Sequence, residues 1–112
     1  MLIGIPSCVG PDLLSVLYRM GHGDELVLAD ALFCGETFGK RVVRADGVRI
    51  PDLLDGILGL MNLDDFVTDR VVMMQAAAGD ALDEAAIRSY RAVIDRHWPE
   101  TPAIVHMERF AF

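Results

Sequence analysis

Pro-Asp-Leu-Leu occurs twice, at residues 11–14 and 51–54, and fixes where two helices begin. Proline suits the first helical position because its missing N–H would have no intrahelical acceptor there. Aspartate in the first turn favours the positive end of the helix dipole. After the first copy, Leu13, Leu14, Val16, Leu17 and Met20 recur at helical spacing, and Gly21 reads as the stop. After the second, Leu53, Leu54, Ile57, Leu58 and Met61 form a similar stripe. Shared capping chemistry accounts for the repeated tetrapeptide without an internal duplication.

Between and after these helices the pattern changes to short apolar runs. Leu26-Val27-Leu28-Ala29 reads as a strand buried on both faces. Arg41 to Ala45 reads as a second strand closed by an Asp46-Gly47 turn. Val71 to Met74 is a third, and Ala103 to Met107 another. A third helix lies between them, with Asp83 as its cap and Ile87, Tyr90, Ile94 and Trp98 or His97 as its apolar line. Pro99 and Pro102 end it. Strands alternating with helices give the α/β class. The expected architecture is a single three-layer domain over residues 1–112, with a mixed, mostly parallel sheet flanked by helices.

Composition narrows the partners. Hydrophobic residues are 53% of the chain, enough for a packed core. No apolar run reaches the roughly 18 residues a membrane span needs, and the first ten residues lack the basic start of a signal peptide. The formal charge of −7 disfavours nucleic acid and anionic lipid surfaces, but not a neutral sugar. Two cysteines, Cys8 and Cys34, read as reduced thiols in a cytoplasmic protein.

The candidate chemistry centres on His22. It sits between Gly21 and Gly23, which leave the ring open and let the backbone turn sharply. An imidazole can give and take a proton near neutral pH. On the residues alone, His22 is either such a group or a loop histidine in a capping turn. Asp30 falls where a strand should end, the place where α/β sheets gather ligands. It is either a ligand-orienting carboxylate or a turn former. Asp64 and Asp65 pair carboxylates after the second helix, where a solvated turn is the simpler reading. Arg44 and Asp46 suit an ion pair, while His97 and His106 read as structural. The sequence carries no zinc-spaced ligands, Walker loop, dinucleotide fingerprint or nucleophile elbow.

Several ordered segments resemble the fucose mutarotase / ribose pyranase family, and its fucose branch in particular. They are Pro11-Asp12-Leu13-Leu14, Met20-Gly21-His22-Gly23-Asp24-Glu25 with its run to Asp30-Ala31, and Arg44-Ala45-Asp46-Gly47. Pro51-Asp52-Leu53-Leu54, Leu63-Asp64 and Glu108-Arg109-Phe110-Ala111-Phe112 follow. The resemblance implies interconversion of the anomers of a monosaccharide, with L-fucose the leading substrate and no cofactor or metal. It implies that His22 donates the proton and that Asp30 and Arg109 bind the sugar. Asp64 and Met74 match positions near the ligand. It also implies a ring-shaped homo-oligomer, often decameric. Relatives carry a Tyr-Gly-Asn pocket segment beyond the position of Phe112, outside the span of residues 1–112. They also have a proline where Leu32-Phe33-Cys34-Gly35 stands. The alternatives are a pyranase acting on ribose ring forms and a sugar-binding protein without catalysis.

Overall fold

The structure is a computed structural model and describes residues 2–77, 79–81, 83–108 and 111–112. The chain falls into two compact units, residues 1–61 and 62–112.

In the first unit, helix α1 spans Pro11–Arg19, the short helix α2 spans Gly35–Phe38, and helix α3 spans Ile50–Leu58. Both Pro-Asp-Leu-Leu segments are helix starts, with proline in the first two positions and Asp12 or Asp52 in the first turn. The core is Val9, Leu13 and Ile57, with Ile5, Leu17, Leu26, Leu28, Val43 and Leu53 among the half-buried residues packed on it. Burial of these side chains supplies the main driving force for the unit.

Two expected strands of this unit do not form. Residues 26–29 and 41–45 carry no strand assignment. Leu26 and Leu28 are half-buried while Val27 and Ala29 are exposed, so the first segment buries one face, not two. Val43 and Ala45 alternate in the same way with exposed neighbours. Alternating burial is the pattern of a strand, but a ladder also needs a partner strand. A hairpin between them is accordingly not seen among the described residues. The Asp46-Gly47 turn is present: the Val48 N–H donates to the Ala45 carbonyl at 3.2 Å, and Gly47 holds φ +78°. That left-handed position suits glycine. The expected Arg44–Asp46 ion pair is also present, at 2.8 Å on the surface. The carboxylate hydrogen bond and charge of Asp46 raise the Arg44 pKa above its ordinary value.

Gly56 marks the closest approach within this unit. A methyl group placed on it would lie 2.6 Å from Cys8 Sγ and 3.4 Å from Pro6 Cβ. Helix propensity alone would favour alanine by about 1 kcal/mol. Overpacking costs typically 1–3 kcal/mol, so Gly56→Ala should lower stability by a net ~1 kcal/mol in urea unfolding. Cys8→Ala should cost less in the Gly56→Ala background than in the wild type, since it removes the clashing sulfur.

In the second unit, strand β1 is Val72–Met74, helix α4 is Glu84–His97, and strand β2 is Val105–Met107. The strands pair in parallel, with Val72 opposite Val105, Met73 opposite His106 and Met74 opposite Met107. A parallel pair needs a long crossover, and α4 lies within it. Among the described residues this ladder is parallel throughout. The α/β class therefore holds, with a parallel sheet accompanied by helices. Asp83 caps α4 by accepting the Ala86 N–H at 3.1 Å. Ile94 is fully buried and Val93 nearly so.

Arg91 ties α4 to the segment entering β2. Its Nη1 donates to the Pro102 carbonyl at 2.8 Å and its Nη2 to the Thr101 carbonyl at 2.7 Å. Nε donates to Asp95 at 2.9 Å. Thr101, itself buried, returns its hydroxyl to the Trp98 carbonyl at 2.7 Å. A planar guanidinium can serve both carbonyls and the carboxylate at once, while an ammonium offers one compact donor group. Arg91→Met should therefore lower unfolding stability by roughly 2 kcal/mol, the scale of charged hydrogen bonds lost with carbonyls left unsatisfied. Arg91→Lys should recover only part of it.

Candidate active site

His22 stands in a braced turn just after α1. The helix ends at Arg19, and Met20 leaves it in an extended conformation. Gly21 is therefore not the left-handed stop expected of it. Gly23 holds that conformation instead, at φ +85°. The Asp24 N–H donates to the Gly21 carbonyl at 3.1 Å, which closes a four-residue turn with His22 and Gly23 in the middle. In the opposite direction, the Gly21 N–H donates to Asp24 Oδ2 at 2.8 Å. Residues 21 to 25 are all exposed, so His22 stands at the surface of its unit.

Asp30 lies further along the same unit, at the end of the extended segment that begins at Leu26. Its Oδ1 accepts the Leu32 N–H at 2.9 Å, and its carbonyl accepts the Phe33 N–H at 3.2 Å. Asp30 is thus both a turn former and an exposed carboxylate with a second oxygen to offer.

Asp64 and Met74 belong to the second unit. Asp64 Oδ1 accepts the Phe66 N–H at 3.0 Å, so this half-buried carboxylate also shapes a turn. Met74 closes β1 on the exposed side of its burial pattern. It pairs with Met107, the last residue of β2. The carboxyl ends of two parallel strands therefore meet at these methionines, the usual ligand end of such a sheet. Arg109 lies outside the described residues; in the sequence it follows the end of β2 by two positions.

His106 contributes to a different place. With Ile87, Arg91, Ala103 and Ile104 it lines an open depression of about 490 Å³, and its Nδ1 is buried with no hydrogen-bond partner among the described residues. The Arg91 guanidinium beside it is committed to carbonyls and Asp95. The pairing of Asp24 with Gly21 is the feature that sequence reasoning missed. Its signal was present, since an aspartate three residues after a glycine can cap that glycine's N–H across a turn. Among the described residues, no group of three His, Cys, Asp or Glu side chains converges as a metal site would. No described helix is long and apolar enough to cross a membrane.

A family model described as the RbsD / FucU transport protein family matches residues 3–112. An L-fucose mutarotase of Actinobacillus pleuropneumoniae serotype 5b (strain L20) is 46% identical over all 112 residues, which span 78% of its length. One from Histophilus somni (strain 2336) has the same identity and coverage. The fold is similar to the crystal structure of the fucose mutarotase of Streptococcus pneumoniae in complex with L-fucose. That likeness has a TM-score of 0.91 and 40% identity, over 99% of this chain and 79% of the other. FucU from Bifidobacterium longum matches with a TM-score of 0.91 and 40% identity, over 97% and 78%.

Proposed function

The chain belongs to the RbsD / FucU transport protein family, and from that premise we propose that it interconverts the α and β anomers of L-fucose. The reading rests on one observation above the others. The likeness to proteins named L-fucose mutarotase runs the full length of the chain at 46% identity. The solved relative from Streptococcus pneumoniae, which is a complex with L-fucose, supports the same sugar. On this reading residues 1–112 act as one sugar-handling isomerase domain.

Anomer exchange needs two proton movements. A base removes the proton of the anomeric hydroxyl, whose oxygen becomes the carbonyl of the open aldehyde. The bond from the anomeric carbon to the ring oxygen breaks, and an acid protonates that oxygen. Rotation about the neighbouring carbon–carbon bond exposes the other carbonyl face, and reclosure gives the other anomer. Atoms and charge balance without a redox partner.

His22 is the proton-transferring group in this scheme. Its turn places an imidazole in the open, between glycines that crowd no ligand. Asp30 keeps Oδ1 on its own turn and offers Oδ2 to a sugar hydroxyl. Arg109 binds hydroxyls as a fixed fork of donors. In the second unit, Asp64 and Met74 are assigned to sugar binding, Met74 as an apolar contact for a sugar face. The active form is a homo-oligomer. Ile3 at 99% and Leu32 at 96% exposure support that assignment, since apolar surface of this kind seeks cover. The free thiols of Cys8 and Cys34 suit the cytoplasm. Saturation-transfer NMR on equilibrated L-fucose tests the proposal: added protein should speed magnetisation transfer between the anomeric protons. Binding of the sugar without faster transfer would select a non-catalytic sugar-binding protein instead. Faster exchange of ribose ring forms than of fucose anomers would select a pyranase.

A further inference from the structure

We propose that Asp24 is a positioning residue for His22, acting through the Gly21 N–H and not through the sugar. The inference rests on the mutarotase reading and on three features of one turn. The Gly21 carbonyl accepts the Asp24 N–H at 3.1 Å, and Asp24 Oδ2 accepts the Gly21 N–H at 2.8 Å. Residues 21 and 24 are thus joined in both directions, and His22 lies on the short arc between the joins. Gly23, the other residue on that arc, has φ +85°.

This geometry answers a difficulty in the proposed chemistry. A histidine flanked by two glycines is accessible, but glycines also allow the widest backbone motion. Near α1 the N–H of Gly21 lies beyond the helix, where the ladder of the helix does not hold it. One backbone bond alone closes many surface turns, and such turns open readily. The bond from the Gly21 N–H to Asp24 Oδ2 closes the same turn a second time, through the side chain. Asp24 therefore restores the stiffness that Gly21 and Gly23 remove. It does so without adding bulk beside the ring, because its carboxylate points back at the backbone. The consequence is kinetic. Proton transfer depends steeply on the placement of the imidazole, and a misplacement of about 1 Å costs up to about a hundredfold.

The test separates bracing from charge and from sugar contact. Asparagine keeps an oxygen acceptor at the same reach, so Asp24→Asn retains the brace, and Asp24→Ala removes it. Anomer exchange of L-fucose is measured by saturation transfer over a range of sugar concentrations. In parallel, hydrogen exchange of the Gly21 amide is followed by NMR. For Asp24→Ala we expect kcat to fall by about tenfold with KM within about twofold, together with faster exchange of the Gly21 amide. Asp24→Asn should keep most of kcat and the slow amide. Equal kcat for Asp24→Ala and wild type overturns the proposal. So does an Asp24→Asn protein as slow as Asp24→Ala, which would make the charge the operative feature. A rise in KM at constant kcat also overturns it, because it would assign Asp24 to the sugar. If the wild type itself leaves the anomers at their uncatalysed rate, the mutarotase reading fails and takes this role with it. Catalysis in the wild type with an indifferent Asp24→Ala removes the role alone. Melting temperatures of both variants should stay near that of the wild type, since residue 24 is exposed.

Discussion

His22→Ala should abolish the acceleration of fucose anomer exchange while leaving the protein folded. A positioned acid–base group contributes roughly 10²–10⁴-fold to a reaction of this kind. The uncatalysed exchange is already measurable in water, so loss of that factor should bring the rate close to background. The side chain is exposed in its turn, and surface substitutions usually change stability by less than about 0.5 kcal/mol. Far-UV circular dichroism and urea midpoints should therefore match the wild type. His22→Gln makes the experiment sharper. Glutamine keeps comparable reach and hydrogen-bonding groups but cannot cycle a proton near neutral pH. If His22 moves protons, Gln should be as inactive as Ala. If His22 only binds a hydroxyl, Gln should keep much of the rate and Ala should mainly raise KM. A His22→Ala protein that exchanges anomers at the wild-type rate would remove the residue from the mechanism.

Much of the local structure was legible because its causes are local. Pro11, Pro51 and Asp83 mark helix starts through the hydrogen bonds a first turn lacks, and all three helices begin within a residue of those marks. The Asp46-Gly47 turn was legible because few residues other than glycine accept φ +78°. The strands divide more instructively. Val72–Met74 and Val105–Met107 formed as expected, while residues 26–29 and 41–45 stayed out of any described ladder. All four have the apolar pattern of strands. Pairing depends on a partner elsewhere in the chain, and periodicity carries no record of that. The four-residue helix α2 was missed for a related reason: Gly35, Thr37 and Phe38 are weak helix formers, and no cap signal precedes them. At the proposed site, His22 was conspicuous through its glycines and Asp30 through the end of an apolar run. Asp64 and Met74 came from family likeness, since one looks like any turn carboxylate and the other like any strand methionine.

The largest stability loss should follow Ile94→Ala. Ile94 has no solvent exposure, and Val93 beside it has 5%. They lie on α4, the one helix described for the second unit. Truncating a buried isoleucine removes about three methyl or methylene groups and leaves a cavity that the surroundings fill only in part. The cost is typically about 2–5 kcal/mol. A domain of this length has a total stability of the order of 5–15 kcal/mol, so a large fraction is at stake. Urea titration should show a midpoint shift with an unchanged slope, because the surface exposed on unfolding barely differs. Ile94→Val supplies the scale. It removes one methylene, should cost about 1 kcal/mol, and keeps the β-branched shape. Ala92, exposed on the same helix, is the reference: Ala92→Ser should cost no more than about 0.5 kcal/mol. Equal effects of Ile94→Ala and Ala92→Ser would mean that α4 contributes no sealed core to its unit. The mutarotase assay adds a separate readout. Ile94 lies outside the set of residues assigned to the sugar, so the folded fraction of Ile94→Ala at low temperature should retain wild-type exchange per molecule. Loss of exchange in fully folded Ile94→Ala would instead tie the packing of α4 to the geometry of the sugar site.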